Sequence, residues 1–337
     1  MQSNLSFYLS NEFSLSDKLK SILGLRAENY NLYYTGQNQQ GDIVYEDENI
    51  LGELDLFPSI NLIYGLKEMS NLRFSLSRTI ARPSFKEKSI AQIFDPVTST
   101  TFIGNIDILP TKILNYDLRW ELFQEDAQMY AISLFYKDFT NPIELVVYNG
   151  ASPNDYTPKN VDEAKVYGIE LEFRKNLEFI SESLSNFKLT FNTSIIRSEE
   201  IMDEKEYEGR IKSARSGEVV SRKRELQGQS PYLVNLGLNY NSINNNFEGS
   251  LNYNVQGKTL QIVGVNYVPD IFTEPFNSLN LNFNYKFGRT GNLKLGLGIK
   301  NLLDEKVESY YYTNDIKSIY SSLSPRREFK LSLGINF

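Results

Sequence analysis

The sequence predicts an all-β fold, an antiparallel up-and-down transmembrane β-barrel present in part, with about thirteen strands of a larger barrel. Three observations carry this. Apolar residues recur with a period of two along most of the chain, the connections between these stretches alternate short and long, and aromatic residues gather at the stretch ends.

Taken in order, the alternating stretches lie near 5–10, 19–28, 56–64, 71–79, 113–123, 128–138, 165–175, 187–197, 232–240, 246–256, 278–287, 292–300 and 327–337. In the fourth, Leu72, Phe74 and Leu76 alternate with Arg73, Ser75 and Ser77. In the fifth, Leu114, Tyr116, Leu118, Trp120 and Leu122 interleave with Asn115, Asp117, Arg119 and Glu121. The seventh sets Tyr167, Ile169, Leu171 and Phe173 against Glu170, Glu172 and Arg174. The eleventh sets Leu279, Leu281, Phe283, Tyr285 and Phe287 against Asn280, Asn282, Asn284 and Lys286. Successive strand residues point to opposite faces. Leu118, Trp120, Ile169, Leu171, Leu281, Phe283, Leu295 and Leu297 are therefore expected in one outer band. Arg119, Glu170, Asn282, Asn284 and Lys294 are expected on the opposite, concave face.

The short connections are 11–18, 65–70, 124–127, 176–186, 241–245 and 288–291; the long ones are 29–55, 80–112, 139–164, 198–231, 257–277 and 301–326. Outer-membrane barrels have short periplasmic turns and long outer loops, whereas a soluble sandwich has no reason to gather its long loops at one end. With the long loops outside, the last strand descends to Phe337 and the first strand also descends, so the strand total is odd. Bacterial single-chain barrels close with an even number. The chain is thus expected to be incomplete, or one strand is miscounted. Tyr64, Phe123, Tyr240, Phe287 and Phe337 fall at the inner strand ends, and Tyr116, Tyr167, Tyr232 and Phe329 near the outer ends, as interfacial girdles require.

Composition excludes several function classes. The 337 residues contain no Cys and no His, which removes disulfides, thiolate nucleophiles, imidazole bases and the usual metal motifs. A net charge of -7 argues against a sequence-independent grip on nucleic acid. No apolar run is long enough for a membrane-spanning helix. The mean hydropathy of -0.38 is compatible with a barrel, whose strands dilute their apolar residues with polar ones. Carboxylates are abundant, but nothing sets two of them in a defined cleft, so no enzyme activity and no cofactor are expected. The opening MQSNLSFYLS lacks a basic segment, an apolar core and a cleavage site, so no signal peptide is expected in it.

Several segments together resemble the C-terminal barrel of TonB-dependent receptors, especially those of Bacteroidetes-type bacteria. They are LFPSINLIYGLKEMSNLRFSLSRTIARPSFKE, GNIDILPTKILNYDLRWELF, ISLFYKDFTNPIE, NVDEAKVYGIELEF, LQGQSPYLVNLGLNY and NLKLGLGIKNLLDEK, followed by a last strand ending in Phe. The order matches the family's from about residue 19 onward. The resemblance implies a barrel of roughly twenty-two strands plugged by an N-terminal domain, of which this chain would supply the last thirteen. It also implies uptake of a scarce small molecule, such as a siderophore, vitamin or glycan, powered by the TonB complex through that plug. No plug, TonB-contact segment or first nine strands are expected within residues 1–337. A passive pore, a non-transporting surface barrel, an inactive remnant and a soluble all-β binding protein stay open as alternatives.

Candidate ligand residues lie in the long loops. Phe85, Phe94 and Phe102 share one with Asp95 and Asp107, and Tyr310, Tyr311 and Tyr312 share the last with Arg326 and Arg327. Aromatics there can stack on sugars or aromatic chelators, while their plainer role is loop packing. Arg222 and Arg224 flank Lys223 in a basic triplet suited to an anion or a lipid headgroup; its plainer role is a solvated, self-compensating surface. Phe329, Leu331, Leu333, Ile335 and Phe337 share one face of the last strand. The resemblance implies that this aromatic-terminated strand is read by the barrel-assembly machinery on insertion into outer-membrane lipid.

Overall fold

The computed structural model describes residues 1–96, 98–148, 154–214, 219–266, 268–288, 292–313 and 316–335. Its main sheet has fourteen strands, of which one, Lys223–Arg224, lies off the path, leaving a meander of thirteen in sequence order. These are β1 (Gln2–Ser14), β2 (Leu19–Gln37), β3 (Val44–Lys67), β4 (Ser70–Ala81), β5 (Thr111–Phe123), β6 (Met129–Thr140) and β7 (Glu163–Asn176), then β8 (Phe187–Ile201), β9 (Tyr232–Asn241), β10 (Phe247–Gln256), β11 (Phe276–Phe287), β12 (Leu293–Lys300) and β13 (Glu328–Ile335). Every neighbouring pair is antiparallel, so the six long connections share one end and the six short ones the other. Among the described residues, β1 and β13 each pair on one side only, which makes the sheet a partial barrel.

Register fixes the two faces. Leu189, Leu238, Leu251, Leu281, Ile299 and Phe329 stand opposite one another in a single row across β8 to β13. Leu118, Leu134, Ile169 and Ile195 make a second row across β5 to β8. Many of these side chains are exposed, Leu134 at 50%. The expected outer band is therefore one continuous apolar face, and Arg119, Glu170, Asn282, Asn284 and Lys294 lie on the other.

That polar face differs along its width. Across β4 to β7 it is ionic: Glu121 accepts from Arg73 and from Arg119 Nε at 3.2 Å, and Arg119 also reaches Glu172 at 2.9 Å and the Ser133 hydroxyl at 3.0 Å. Across β8 to β11 it is amide. The Asn235 side chain donates to Asn192 Oδ1 at 2.6 Å and accepts from Asn254.

The long connections hold structure that their sequence does not announce. The stretch 29–55, expected as a loop, continues β2 and β3 as a hairpin far longer than the ~10 residues a membrane crossing needs. Tyr30, Leu32, Tyr34 and Leu51 bury its inner side. Four loop strands, Gln92–Asp95, Thr100–Ile103, Asp155–Asn160 and Ile143–Val147, form one small sheet in that order. Thr259–Ile262, Ile271–Thr273, Val307–Thr313 and Ile316–Leu323 form another. The two join where Val147 N–H donates to the Val263 carbonyl at 3.0 Å and Val263 N–H to Leu145 at 3.1 Å. At this seam Val147, Tyr156, Ile262 and Ile271 make a hydrophobic core, with Ile271 at 0% exposure.

Candidate functional site in the loop layer

The helix α1 (Glu204–Ser213) sits over the joined loop sheets. Asp203 caps it, accepting the Glu206 N–H at 2.8 Å, which satisfies one of the orphan donors of a helix start. Burial alone would raise the Asp203 carboxyl, but the ion pair with Lys159 and the cap hydrogen bond hold it below the usual range. At the other end Arg210 forks onto Asp270 with two contacts of 2.9 Å. Cavities of about 430 and 480 Å³ flank the helix, the first floored by Val146, Val147, Val263 and Val265.

Arg224 is the hub of the layer. Its guanidinium donates to Glu144 at 2.9 and 2.5 Å, to Glu200 at 2.8 Å and to Glu206 at 2.8 Å, and it is 7% exposed. Three acidic side chains from separate segments thus close on one cation, and burial together with the neighbouring Glu144 charge pushes the Glu200 carboxyl up to about 9. Burial opposes the guanidinium charge, but the bond to Glu144 and the other acidic side chains hold Arg224 protonated more firmly than a free guanidinium. Glu144, fully buried, is likewise held below the ordinary carboxyl range: burial pushes it up, and the Arg224 hydrogen bonds override that. The triplet expected as one exposed basic patch is therefore split. Arg222 stays at the surface, paired with Glu204 at 2.7 Å and lying 5.5 Å from the Tyr207 ring, whereas Arg224 has no donor left for a ligand.

The three tyrosines divide by strand alternation in the same way. Tyr311 turns into the core beside Tyr320, at 5.4 Å between ring centroids. Tyr310 and Tyr312 turn outward into an ionic and aromatic cluster. Lys258 Nζ lies 3.2 Å from the Tyr312 ring centroid and 4.2 Å from that of Phe272, and Lys317 stands 5.4 Å from Tyr310 and 5.1 Å from Tyr312. Glu274 accepts from the Tyr312 hydroxyl and, at 3.1 Å, from Lys317. Burial lowers the Lys258 ammonium from its ordinary value, and Lys317 adds to this against the pull of Glu274. Lys258 has no ion pair among the described residues, so it is the cation of this cluster open to an incoming anion or hydrogen-bond acceptor.

Phe94 and Phe102 lie on the other loop sheet, and Phe85 in the turn before it. Phe94 is exposed at 61%, Phe85 packs 5.7 Å from Tyr34, and Phe102 lies under Lys86 at 4.0 Å. Phe102 stands beside Tyr156, whose hydroxyl bonds that of Tyr320 across the seam. The two aromatic groups are thus linked through packed rings without forming one pocket. Sequence inspection missed Lys258, Phe272 and Glu274, because they come from segments about forty residues or more from the tyrosines they meet, and Lys317, because only the pairing of its strand sets it opposite Tyr312. Among the described residues, no group of acidic side chains is arranged to hold a metal ion. Phe329, Leu331, Leu333 and Ile335 share the exposed apolar face of β13, and Phe337 lies outside the described residues.

Comparison with known proteins places this architecture. The model of the TonB dependent receptor-like β-barrel family matches residues 2–302. The chain belongs to this family. Among solved structures, a ferric enterobactin receptor of Pseudomonas aeruginosa matches with a TM-score of 0.62 at 18% identity, covering 100% of this chain and 45% of that one. The copper transporter OprC matches at 0.69 and 17%, with 100% and 50% covered, and the ferric citrate transporter FecA at 0.66 and 16%, with 99% and 45% covered. At these identities the likeness is one of fold, and the chain spans about half the length of each. No curated protein matches the sequence itself. The family and its structural neighbours are receptors and transporters rather than enzymes, and their barrels belong to outer membranes. The apolar face of this TonB-dependent receptor barrel is accordingly its lipid face, and the polar face its lumen. Among the described residues, no helix is long and apolar enough to cross a membrane.

Proposed function

We propose that residues 1–337 form the C-terminal barrel wall and ligand-receiving loops of an outer-membrane importer driven by TonB, with the plug and remaining strands supplied by further sequence. The observation that carries this is the family match over residues 2–302, joined to a loop layer with its own core above the wall. The substrate is a scarce small molecule, a metal chelate of the kind named for the neighbours or a glycan. Lys258, Tyr310 and Tyr312 are the candidates for first contact, together with exposed Phe94, Phe85 and Arg222, and Phe102 through its ring edge. The face of Phe329, Leu331, Leu333 and Ile335, with Phe337, serves insertion by the barrel-assembly machinery. Uptake of a panel of ferric chelates, copper and oligosaccharides is to be measured in cells with and without TonB. One class should enter only with TonB, and Lys258→Ala with Tyr312→Ala should weaken its binding. Entry of a solute at equal rate without TonB would instead identify a passive pore.

A further inference from the structure

The lipid face carries a notch on β8 to β11. Near the short-turn end of β8 to β11, a groove of about 420 Å³ opens between aromatic rings, and its lining is almost wholly hydrocarbon. Its rim is a file of rings: Phe187 and Tyr240 lie 4.8 Å apart, Tyr240 and Phe247 5.9 Å, and Phe247 and Phe283 5.8 Å in a stacked pair. Gly249 makes the notch. It stands between Tyr240 and Phe283 in the register, and a Cβ there would lie 3.2 Å from the Phe283 ring. A side chain at 249 would push that ring outward into the groove. Leu251 lies one pleat further along the same face, 37% exposed, and forms the floor.

We propose that this groove seats one acyl chain of a zwitterionic phospholipid from the leaflet at the short-turn side. The groove is continuous with the lipid face, in the same row as Leu281 and Ile299, so lipid already meets its margins. A hydrocarbon chain also asks nothing of walls that offer no hydrogen bonds, whereas a peptide would bring backbone groups needing partners in a lipid setting. The headgroup chemistry follows from the adjoining turn. Residues Asn241, Ser242, Asn244, Asn245 and Asn246 carry amides and a hydroxyl but no charge. Ionic groups beside the lining face the lumen: Glu248 and Lys286 neutralise each other at 2.8 Å, and Lys188 donates to the Asp126 carbonyl at 3.2 Å. Among the described residues, nothing on the lipid side of this turn therefore favours an anionic headgroup.

The test uses the full-length protein, purified in detergent, delipidated, and titrated with dioleoyl phosphatidylethanolamine or phosphatidylglycerol under native mass spectrometry. The unaltered protein should retain one phosphatidylethanolamine. Leu251→Trp, which fills the groove, should lower its occupancy roughly tenfold. Leu134→Trp adds the same ring to the lipid face far from the groove and should change nothing. Heat-modifiability on gels checks that each barrel is folded. If Leu251→Trp does not assemble, Phe247→Ala, which removes one wall, takes its place with the same expected loss. Equal retention by all folded variants, a preference for phosphatidylglycerol, or a protein chain captured by a photo-crosslinker at position 251 overturns the proposal.

Discussion

The wall and the loop layer are built from the same residue types but held by different solvents. In the wall, leucines of the apolar face remain open, as Leu134 and Leu236 are, and become buried only when lipid covers them. In the loop layer Ile271, Val263 and Leu260 are closed off by other protein atoms. The wall is ordered by a backbone ladder that runs through twelve strand pairings, so its side chains are free to alternate by solvent. The loop layer has only short strands, and its position depends on buried polar clamps. Disrupting each region should therefore leave the other standing.

The largest effect is expected at Arg224. Arg224→Ala removes the cation from three acidic side chains, two of them fully buried, and should destabilise the loop layer by about 3–5 kcal/mol. Trypsin should then cut within 202–231 at a concentration that spares the unaltered protein, while the wall keeps its heat-modifiable mobility. Acid should mimic this. Glu144 has a folded pKa below its unfolded value of about 4.3, so its contribution is complete above that value and disappears as pH falls through the folded pKa. Protease resistance of the loops should hold from neutrality to about pH 5 and fail below about pH 4. Loss of the wall together with the loops would show that the two regions do not separate.

The next effect tests the wall alone. Leu281→Arg puts a charge on the lipid face and should cost about 2–4 kcal/mol in a lipid-refolding assay. Asn282→Arg, one residue on, faces the lumen and should cost little, because it stands opposite Gly298 with water beside it. Equal tolerance at both positions would contradict the membrane assignment of the faces.

These two tests also mark what the sequence reveals. The alternation of leucine with asparagine at 278–287 is enough to place Leu281 and Asn282 on opposite faces, because the strand period is set by the backbone and needs no distant partner. All thirteen wall strands are legible for that reason. The extension of β2 and β3 is not, since Asn29, Tyr30, Asn31 and Leu32 look like a polar loop until Leu51 and Arg82 are brought against Tyr30 and Leu32. Arg224 is the sharper case. Beside Arg222 and Lys223 it looks solvated, and its chief partner Glu144 lies 80 residues away in another loop. Tyr310, Tyr311 and Tyr312 are visible as a group, but only strand pairing tells that the middle one is core. Local pattern fixes faces; it does not fix which loops meet.

The smallest effect is expected at the seam between the loop sheets, where Tyr156 and Tyr320 share a hydrogen bond and pack at 6.5 Å. Tyr156→Phe keeps the ring and removes the hydroxyl, so only the hydrogen bond is lost, worth about 0.5–1.5 kcal/mol. Tyr320→Phe should cost a similar amount, and the double variant no more than either alone, because the second hydroxyl has already lost its partner. Alkali gives an independent reading of the same contact. Burial, with the bond from Tyr320, raises the Tyr156 phenol above its ordinary value. Its contribution is therefore complete below the unfolded value of about 10 and is lost as pH rises beyond it. Protease resistance of 141–162 should fall above about pH 10 in the unaltered protein. In Tyr156→Phe that part of the alkaline loss should vanish. Additive effects of the two single variants would mean that each hydroxyl stabilises the layer through partners of its own, and the Tyr156–Tyr320 hydrogen bond would then contribute nothing to the seam.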